Sequence, residues 1–364
     1  MWIKQLNIQN CRSIKKASLQ LSPRLNIVIG KNSSGKTSLL ESLCLLSTGR
    51  SFRTSHISEV ISEKEKEVIV TAKVIYNDGT SHIGLEKSAT KARIRIDQQD
   101  IFSQAELSRY IPITVIHPDS LSLITGAPSL RRSYLDWIAF YLFPDFHSKW
   151  KSYQHILKQR NHCLKNPKHH NSLEKWTEEL VLLQPDITHY RKSVLQKLKP
   201  FLDKSSSKLL KGKKIEITFD TGLPSAIDLN EEALIRYYES KLKYDCAIQR
   251  TSAGVHKANL KFLIDAKPAE KSASRGQLKL LSIALLLSQS ATIKGERNNR
   301  GILLVDDFTS ELDSINENTL VDYLLELEQQ IIITTTRKEI IKGKTGCKMF
   351  HVKHGVINEI KQTG

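Results

Sequence analysis

Apolar residues in the first thirty positions recur at every second place. "WIKQLNIQN" and "ASLQLS" alternate, and "RLNIVIG" closes its apolar run at a glycine, so three short strands are predicted. From Thr37 the period changes to that of a helix: Leu39, Leu40, Leu43, Cys44 and Leu46 share one spacing, which stops near Gly49. "EVIVTAKVIYNDGTSHIGLEK" predicts a hairpin turning at Asn77-Asp78-Gly79. "ARIRIDQQ" adds an alternating strand, and "IPITVIHPD" adds one that stops at Pro118.

Beyond residue 120 helical periods take over. Arg131 to Phe143 and Trp150 to Leu164 carry them, and "KNPKHHN" at 165 to 171 interrupts. Leu173, Trp176, Leu180, Leu183, Ile187, Tyr190 and Val194 then alternate spacings of three and four. This is a short coiled-coil-like seam in which Pro185 predicts a kink or a split. The middle of the chain is therefore expected to be a compact helical arm. "KKIEITFD" and "ANLKFLIDAK" read as strands on either side of a helix at 231 to 246. "SASRGQLKLLSIALLLSQ", 272 to 289, opens another helix, with Ser274 and Gln277 spaced for a reciprocal capping box. Last come "GILLVDD", a buried parallel strand ending in two acids, a helix near Asn318 to Glu328, the strand "QIIITTT" and a hairpin around "KHGVI".

Composition narrows the class. The 364 residues carry a formal charge of +17, the balance of a chain with a polyanionic partner. The excess is local: residues 149 to 214 hold sixteen Lys/Arg and five acids, which favours nucleic acid. The five cysteines, Cys11, Cys44, Cys163, Cys246 and Cys347, are odd in number and never form Cys-x-x-Cys. A disulfide framework and a structural zinc site are thus not expected, and a reduced, cytoplasmic protein is. No apolar run approaches the roughly 20 residues of a membrane span, and no secretory leader is expected from the first residues.

Three motifs carry chemistry. "GKNSSGKT", Gly30 to Thr37, satisfies the G-x-x-x-x-G-K-[ST] phosphate loop between a predicted strand and a predicted helix. There, backbone N–H groups turn inward around a phosphate at a helix N-terminus. Lys36 would bridge the outer phosphates, and the Thr37 hydroxyl would ligate Mg²⁺. "ILLVDD" places Asp306 for the same Mg²⁺ and Asp307 to orient or deprotonate an attacking water. The third motif, "SRGQ" at 274 to 277, puts Gly276 in a first helical turn at a cost of about 1 kcal/mol against Ala, which a cap alone does not explain. The loop and the acids lie far apart in sequence, so two ends of the chain must meet to make one site.

Together with "SELD" at 310 to 313, these motifs resemble the ABC-type ATPase heads of the SMC-like branch and, within it, the RecF family. "GRSFRT" at 49 to 54, "HPDSLSLITGAPSLRRSYLDW" at 117 to 137 and "GQLKLLSIALLLSQ" extend the resemblance over essentially the whole chain. It implies an α/β fold: a P-loop ATPase head, lobe I, at 1–117 plus 296–364, with an inserted, mainly helical lobe II and arm at 118–295. It implies that Gly30, Lys31, Asn32, Ser33, Ser34, Gly35, Lys36 and Thr37 hold ATP and Mg²⁺, that Asp306 is the Walker B ligand, and that Asp307 stands where transporters of the superfamily use Glu. Ser274, Arg275, Gly276 and Gln277 would be the signature motif, and Asp313 would close a loop that crosses a dimer interface. The chain departs from the family in three places. Gly254-Val255-His256-Lys257-Ala258-Asn259 stands for Gly-Pro-His-Arg-Asp-Asp, Ala273 replaces a larger apolar residue, and Thr335 falls in the region where transporter heads carry a His.

The resemblance further implies a two-fold dimer in which the signature motif of one head faces ATP on the other. The helix N-terminus at Ser274 would supply N–H groups and dipole to a γ-phosphate, and Gly276 would leave room for it. The expected function is ATP-dependent DNA binding in recombinational gap repair and SOS induction. Hydrolysis would be slow and DNA-stimulated, and recombination mediator proteins would be recruited. DNA, single-stranded or gapped duplex, would be held through phosphates without sequence specificity. Two rival expectations are the nucleotide-binding subunit of an ABC transporter and another P-loop phosphotransferase. Against the first stand the helical insertion and basic block, and against the second "SRGQ" and "SELD", which a monomeric kinase does not use. A zinc-hook repair head is excluded by the short arm and the missing Cys-x-x-Cys.

Overall fold

The computed structural model describes residues 1–77, 79–297, 301–307, 314–337 and 347–360. Two compact units result, Met1–Ser120 with Ile283–Gly364, and Leu121–Ser282. The cuts fall at 120 and 282 where the sequence places them at 117 and 295, and the second lies inside one continuous helix, Arg275–Arg297.

The first unit opens with β1 (Trp2–Cys11), β2 (Ile14–Gln20) and β3 (Leu25–Ile29), followed at once by α1 (Lys36–Thr48). Alternation in β1 buries Ile3, Leu6 and Ile8, while β3, apolar throughout save for Asn26, is buried at every position. α1 is buried nearly all round, as its sequence "LLESLCLL" requires. β4 (Glu67–Ile75), β5 (Thr80–Ser88), β6 (Ala92–Ile96) and β7 (Gln99–Ile101) continue as an antiparallel meander. Asp78 of the expected turn lies outside the described residues, but Tyr76 N–H closes on the Gly79 carbonyl at 2.8 Å. The short β7 and α2 (Gln104–Tyr110), which precede β8 (Ile113–Ile116), have no periodic signature in the sequence.

The second unit packs α3 (Ser122–Thr125), α4 (Pro128–Leu142), α5 (Phe146–Lys165), α6 (Leu173–Leu209) and α7 (Glu231–Ile248) with a small sheet. In that sheet β10 (Asn259–Ile264) lies between β9 (Ile215–Asp220) and β11 (Lys267–Pro268), and α8 (Ala269–Ser272) follows. Of the expected kink or split, α6 excludes the split: Pro185 and Pro200 both lie inside one 37-residue helix. Each proline costs about 3 kcal/mol in a helix interior. That cost is offset by burial of Leu180, Val181, Ile187, Val194, Leu198 and Leu202 along the same helix, at roughly 1.5–3 kcal/mol each.

Two cations of the basic block are interior, not surface. Arg160 Nη1 donates to Asp245 at 2.9 Å and Thr251 Oγ1 at 2.7 Å. Arg191 forks onto Asp136 at 2.8 and 3.0 Å and donates to the Val255 carbonyl at 2.6 Å. Both tie the helices to the loop 249–258, which His256 also anchors. His256 Nε2 lies 3.2 Å from the Thr251 carbonyl, which can only accept, so Nε2–H donates there, and in the neutral ring Nδ1 accepts from the Tyr153 hydroxyl at 2.8 Å. Burial lowers the His256 pKa from 6.5 to about 4. The folded state therefore favours the neutral ring, and this stability is complete above the unfolded pKa and lost as pH falls. About 2 kcal/mol should be gone at pH 5, read as a drop in urea-unfolding stability from pH 7.5 that His256→Gln flattens. Equal stability of the wild type at both pH values would contradict the network.

The family departure at Asn259 has a local consequence. Arg131, only 7% exposed, donates to the Asn259 Oδ1 at 2.8 Å and to the carbonyls of Ile124 and Gly126, so among the described residues only neutral oxygens hold a buried cation there. Asn259→Asp should stabilise the protein by about 1–2 kcal/mol, the gain of a charge-assisted bond over a neutral one. Calorimetric melting checks this, and an unchanged or lower Tm would refute it.

The chain runs through α9 (Arg275–Arg297) back into the first unit with β12 (Ile302–Val305), α10 (Ser314–Glu326), β13 (Gln330–Thr335), β14 (Cys347–Lys353) and β15 (Val356–Ile360). Two six-stranded sheets are completed. One is antiparallel, ordered β2-β1-β4-β5-β6-β7, and the other is ordered β15-β14-β3-β13-β12-β8, parallel from β14 to β8. A single core joins α1 to both, with Leu39, Leu40 and Leu43 in one cluster with Ile8, Val70 and Ile332. Because β13 pairs with both β3 and β12, the C-terminal ends of these strands stand side by side. There the phosphate loop meets the acids.

Candidate functional site

Gly30 to Gly35 loops from β3 into α1. A Cβ on Gly30 would fall 2.5 Å from the Ser34 Oγ and 2.5 Å from the Val352 carbonyl, and Gly35 sits at φ +112°. Only glycine fits at either position. Among the described residues the buried Ser34 hydroxyl has no hydrogen-bond partner, and the Ser34 carbonyl accepts from Gly355 N–H at 2.9 Å, which fixes the loop against the β14–β15 turn. Lys36 folds back over the loop. Its Nζ donates to the Gly30 carbonyl at 2.8 Å and the Lys31 carbonyl at 2.9 Å. Burial lowers the Lys36 pKa, opposed by the nearby Asp307 and Asp306 carboxylates.

One carboxylate oxygen organises the metal-ligand candidates. Asp306 Oδ1 accepts from the Thr37 hydroxyl at 3.1 Å and from the Thr334 hydroxyl at 2.7 Å, and Thr334 Oγ1 accepts from Asp307 N–H at 2.8 Å. Asp307 takes a left-handed φ of 46°, turning the chain sharply after β12. A hydroxyl and a carboxylate at the foot of a phosphate loop are hard oxygen donors, and they fit Mg²⁺. Around them opens a cavity of about 400 Å³ lined by the loop, Asp306 and Asp307, with Phe52, Arg53 and His117 on its walls. The Phe52 and His117 rings lie 5.2 Å apart. Burial pushes the His117 pKa down, so its ring is neutral near pH 7.

The wall loop is itself held by a buried acid. Glu41, on α1 and 0% exposed, accepts from Arg12 Nε and Nη2 at 2.9 Å each and from the Ser51 hydroxyl at 2.6 Å, with Arg53 Nη1 at 3.7 Å. This fully satisfied carboxylate fastens the segment after α1 beside the phosphate loop.

At the other motif the capping box forms as spaced. Gln277 N–H donates to Ser274 Oγ at 3.2 Å, and Ser274 N–H donates to Gln277 Oε1 at 3.0 Å. Ser274 and Arg275 are exposed. A Cβ on Gly276 would meet only Ser274 Oγ, at 4.0 Å, so nothing described within the chain demands glycine there.

The model of the RecF/RecN/SMC N terminal domain matches residues 2–358. DNA replication and repair protein RecF of Psychromonas ingrahamii is 35% identical over 360 residues, 98% of this chain and 99% of that protein. The chain belongs to the RecF family. A second RecF, from Shewanella frigidimarina, is 34% identical over 366 residues, 99% of this chain and all of its own length. Among solved structures, the recombination mediator protein RecF with ATPrS, from the RecFOR pathway, superposes with a TM-score of 0.88 at 27% identity, covering 99% of this chain and 98% of that one. An Smc head bound to the C-winged helix domain of ScpA shares the fold at a TM-score of 0.59 and 15% identity, covering 100% and 98%. The fold is thus the ABC-type ATPase head of RecF and SMC proteins.

Of the residues singled out in the sequence, the structure gathers Asn32, Ser33, Gly35, Lys36, Thr37, Asp306 and Asp307 around one cavity. Gly30, Lys31 and Ser34 complete its loop, Gly30 and Lys31 offering carbonyls to Lys36. Asp313 lies outside the described residues. Thr335 turns away onto its own strand end, its hydroxyl accepting from Arg337 N–H at 3.1 Å, while its neighbour Thr334 bridges the two acids. Alternation along β13 decides between them. Thr334, Phe52, Arg53, His117 and Glu41 carry no site signal of their own in the sequence. "GRSFRT" and "HPD" are legible as motifs, but only the hold of Glu41 on the first and the pairing of β8 with β12 before the second make them walls of this cavity.

Proposed function

We propose that the chain is an ATP-dependent DNA-binding protein of recombinational gap repair and SOS induction, acting in the cytoplasm, that dimerises around ATP. The observation that carries the reading is the meeting of Lys36, Thr37 and Asp306 at one cavity from the two ends of the chain. A RecF relative solved with ATP supports the nucleotide, and the RecFOR pathway of that relative supports recombination mediators as partners. No helix among the described residues is long and apolar enough to cross a membrane, and nothing in the comparisons favours a transporter subunit or a small-molecule kinase.

In this reading Lys36 exchanges its two carbonyl partners for phosphate oxygens, and the loop N–H groups and the Ser34 hydroxyl donate to the same anion. Thr37 and Asp306 would hold Mg²⁺, which when bound neutralises charge on the outer phosphates. Asp307 orients the attacking water. The helix start at Ser274 to Gln277 serves the nucleotide of a second protomer and supplies N–H donors and dipole to its γ-phosphate, and Asp313 closes the loop that crosses the dimer interface. Loss of that phosphate releases the dimer, so hydrolysis is a slow switch that DNA stimulates.

DNA, single-stranded or gapped, is held through phosphates by the cations of 149–214 that remain exposed, such as Lys192, Lys204 and Lys211. Binding should weaken steeply with salt. Reversing these three lysines to Glu should flatten the slope of log K against log salt by about 0.9 for each duplex phosphate no longer neutralised. An unchanged slope would remove the basic block from the interface.

A further inference from the structure

The second unit holds a groove that nucleotide chemistry does not use, a cavity of about 320 Å³ between α5, α6 and α7. Leu173, Ile235, Leu242 and Cys246 give it an apolar lining, and Leu242 is left 38% exposed there. Its one lining cation, Arg160, is 0% exposed and already bonded to Thr177, Asp245 and Thr251. The rim is acidic. Glu174 and Glu178, one turn apart on α6, face Glu239 of α7 across the opening.

These three carboxylates are exposed, and among the described residues none has an ion-pair or hydrogen-bond partner. Elsewhere in the basic block acids are spent on lysines: Asp186 holds Lys149 at 2.5 Å and Asp203 holds Lys199 at 2.8 Å. An apolar groove ringed by unpaired acids, on a chain of net charge +17, is the reverse of a phosphate-binding surface.

We propose that this groove receives a short segment of a protein partner, one or two large apolar side chains flanked by Lys or Arg. Helix grooves bind such segments by seating apolar anchors, each contributing a favourable burial term. The glutamates add selection: they repel nucleic acid and attract cations, whereas the rest of the chain repels a basic segment. Neither the nucleotide pocket nor the ATP dimer is involved, so failure here leaves the proposed function standing.

The test uses the full chain and a fluorescein-labelled peptide, Lys-Lys-Leu-Lys-Ala-Leu-Leu-Lys-Lys, beside one version with every Lys changed to Glu and another with every Leu changed to Ser. Fluorescence anisotropy should show binding of the first peptide alone. Leu242→Asp, and separately the pair Glu174→Lys and Glu178→Lys, should weaken it at least about tenfold. Urea midpoints and ATP binding should stay unchanged, since all three positions are exposed. Equal binding of the acidic peptide, indifference to both variants, or no binding of the first peptide at about 1 mM would overturn the proposal. So would nucleotide-independent self-association that Leu242→Asp abolishes, because the occupant would then be a second copy of the chain.

Discussion

Lys36→Met should weaken ATP binding by about 100-fold or more, and hydrolysis with it. In the proposed complex the ammonium exchanges its two loop carbonyls for phosphate oxygens, and the charge-assisted bonds to phosphate, at roughly 1.5–3 kcal/mol each, are what the variant loses. The apoprotein should barely notice. Its Gly30 and Lys31 carbonyls lose a donor, but a buried charge that already titrates below the usual lysine range is removed with it. Urea unfolding of the variant should therefore stay within about 1 kcal/mol of wild type, while equilibrium dialysis with labelled ATP shows the loss. Retained affinity would mean that the loop does not hold phosphates.

Gly276→Ala separates fold from assembly more sharply. Apart from its chain neighbours and its own helix backbone, no described atom stands closer than 4.0 Å to the added methyl, and the substitution gains up to about 1 kcal/mol of helix propensity. Stability should stay level or rise. If the helix start faces a partner protomer's γ-phosphate, the same methyl enters the space the phosphate needs, and ATP-dependent association should fall at least about tenfold. Sedimentation with ATP and thermal melting read the two effects independently. A variant that is both stable and fully associating would leave Gly276 without a role at an interface.

How much can be read from the chain depends on how local each determinant is. β3, β12 and β13 are largely apolar runs, and their parallel sheet buries them on both faces. The phosphate loop and the acid pair are legible because their chemistry fixes residue type and spacing. By contrast α6 runs on without the split that Pro185 allows, since its burial is supplied by neighbouring helices. Arg160 and Arg191 count as surface charge in the sequence, whereas Asp245 and Asp136, 85 and 55 residues away, hold them in the interior. His117 and Thr334 join the site through pairing of β8, β12 and β13, and Phe52 through the hold of Glu41 on the segment after α1, which no window of sequence contains. The case of Gly276 runs the other way. Its cost is visible in the sequence, and the structure adds that the described chain gives no internal reason for it.

In the proposed dimer ATP is a component of the interface, and Ser274 stands at the helix start that meets it. Sedimentation velocity of the full chain, with and without ATP and Mg²⁺, beside Ser274→Arg, tests it most directly. The wild type should form a dimer only with ATP, and the variant should bind ATP yet stay monomeric. A wild type that remains monomeric in saturating ATP, or a Ser274→Arg protein that dimerises as the wild type does, would contradict it.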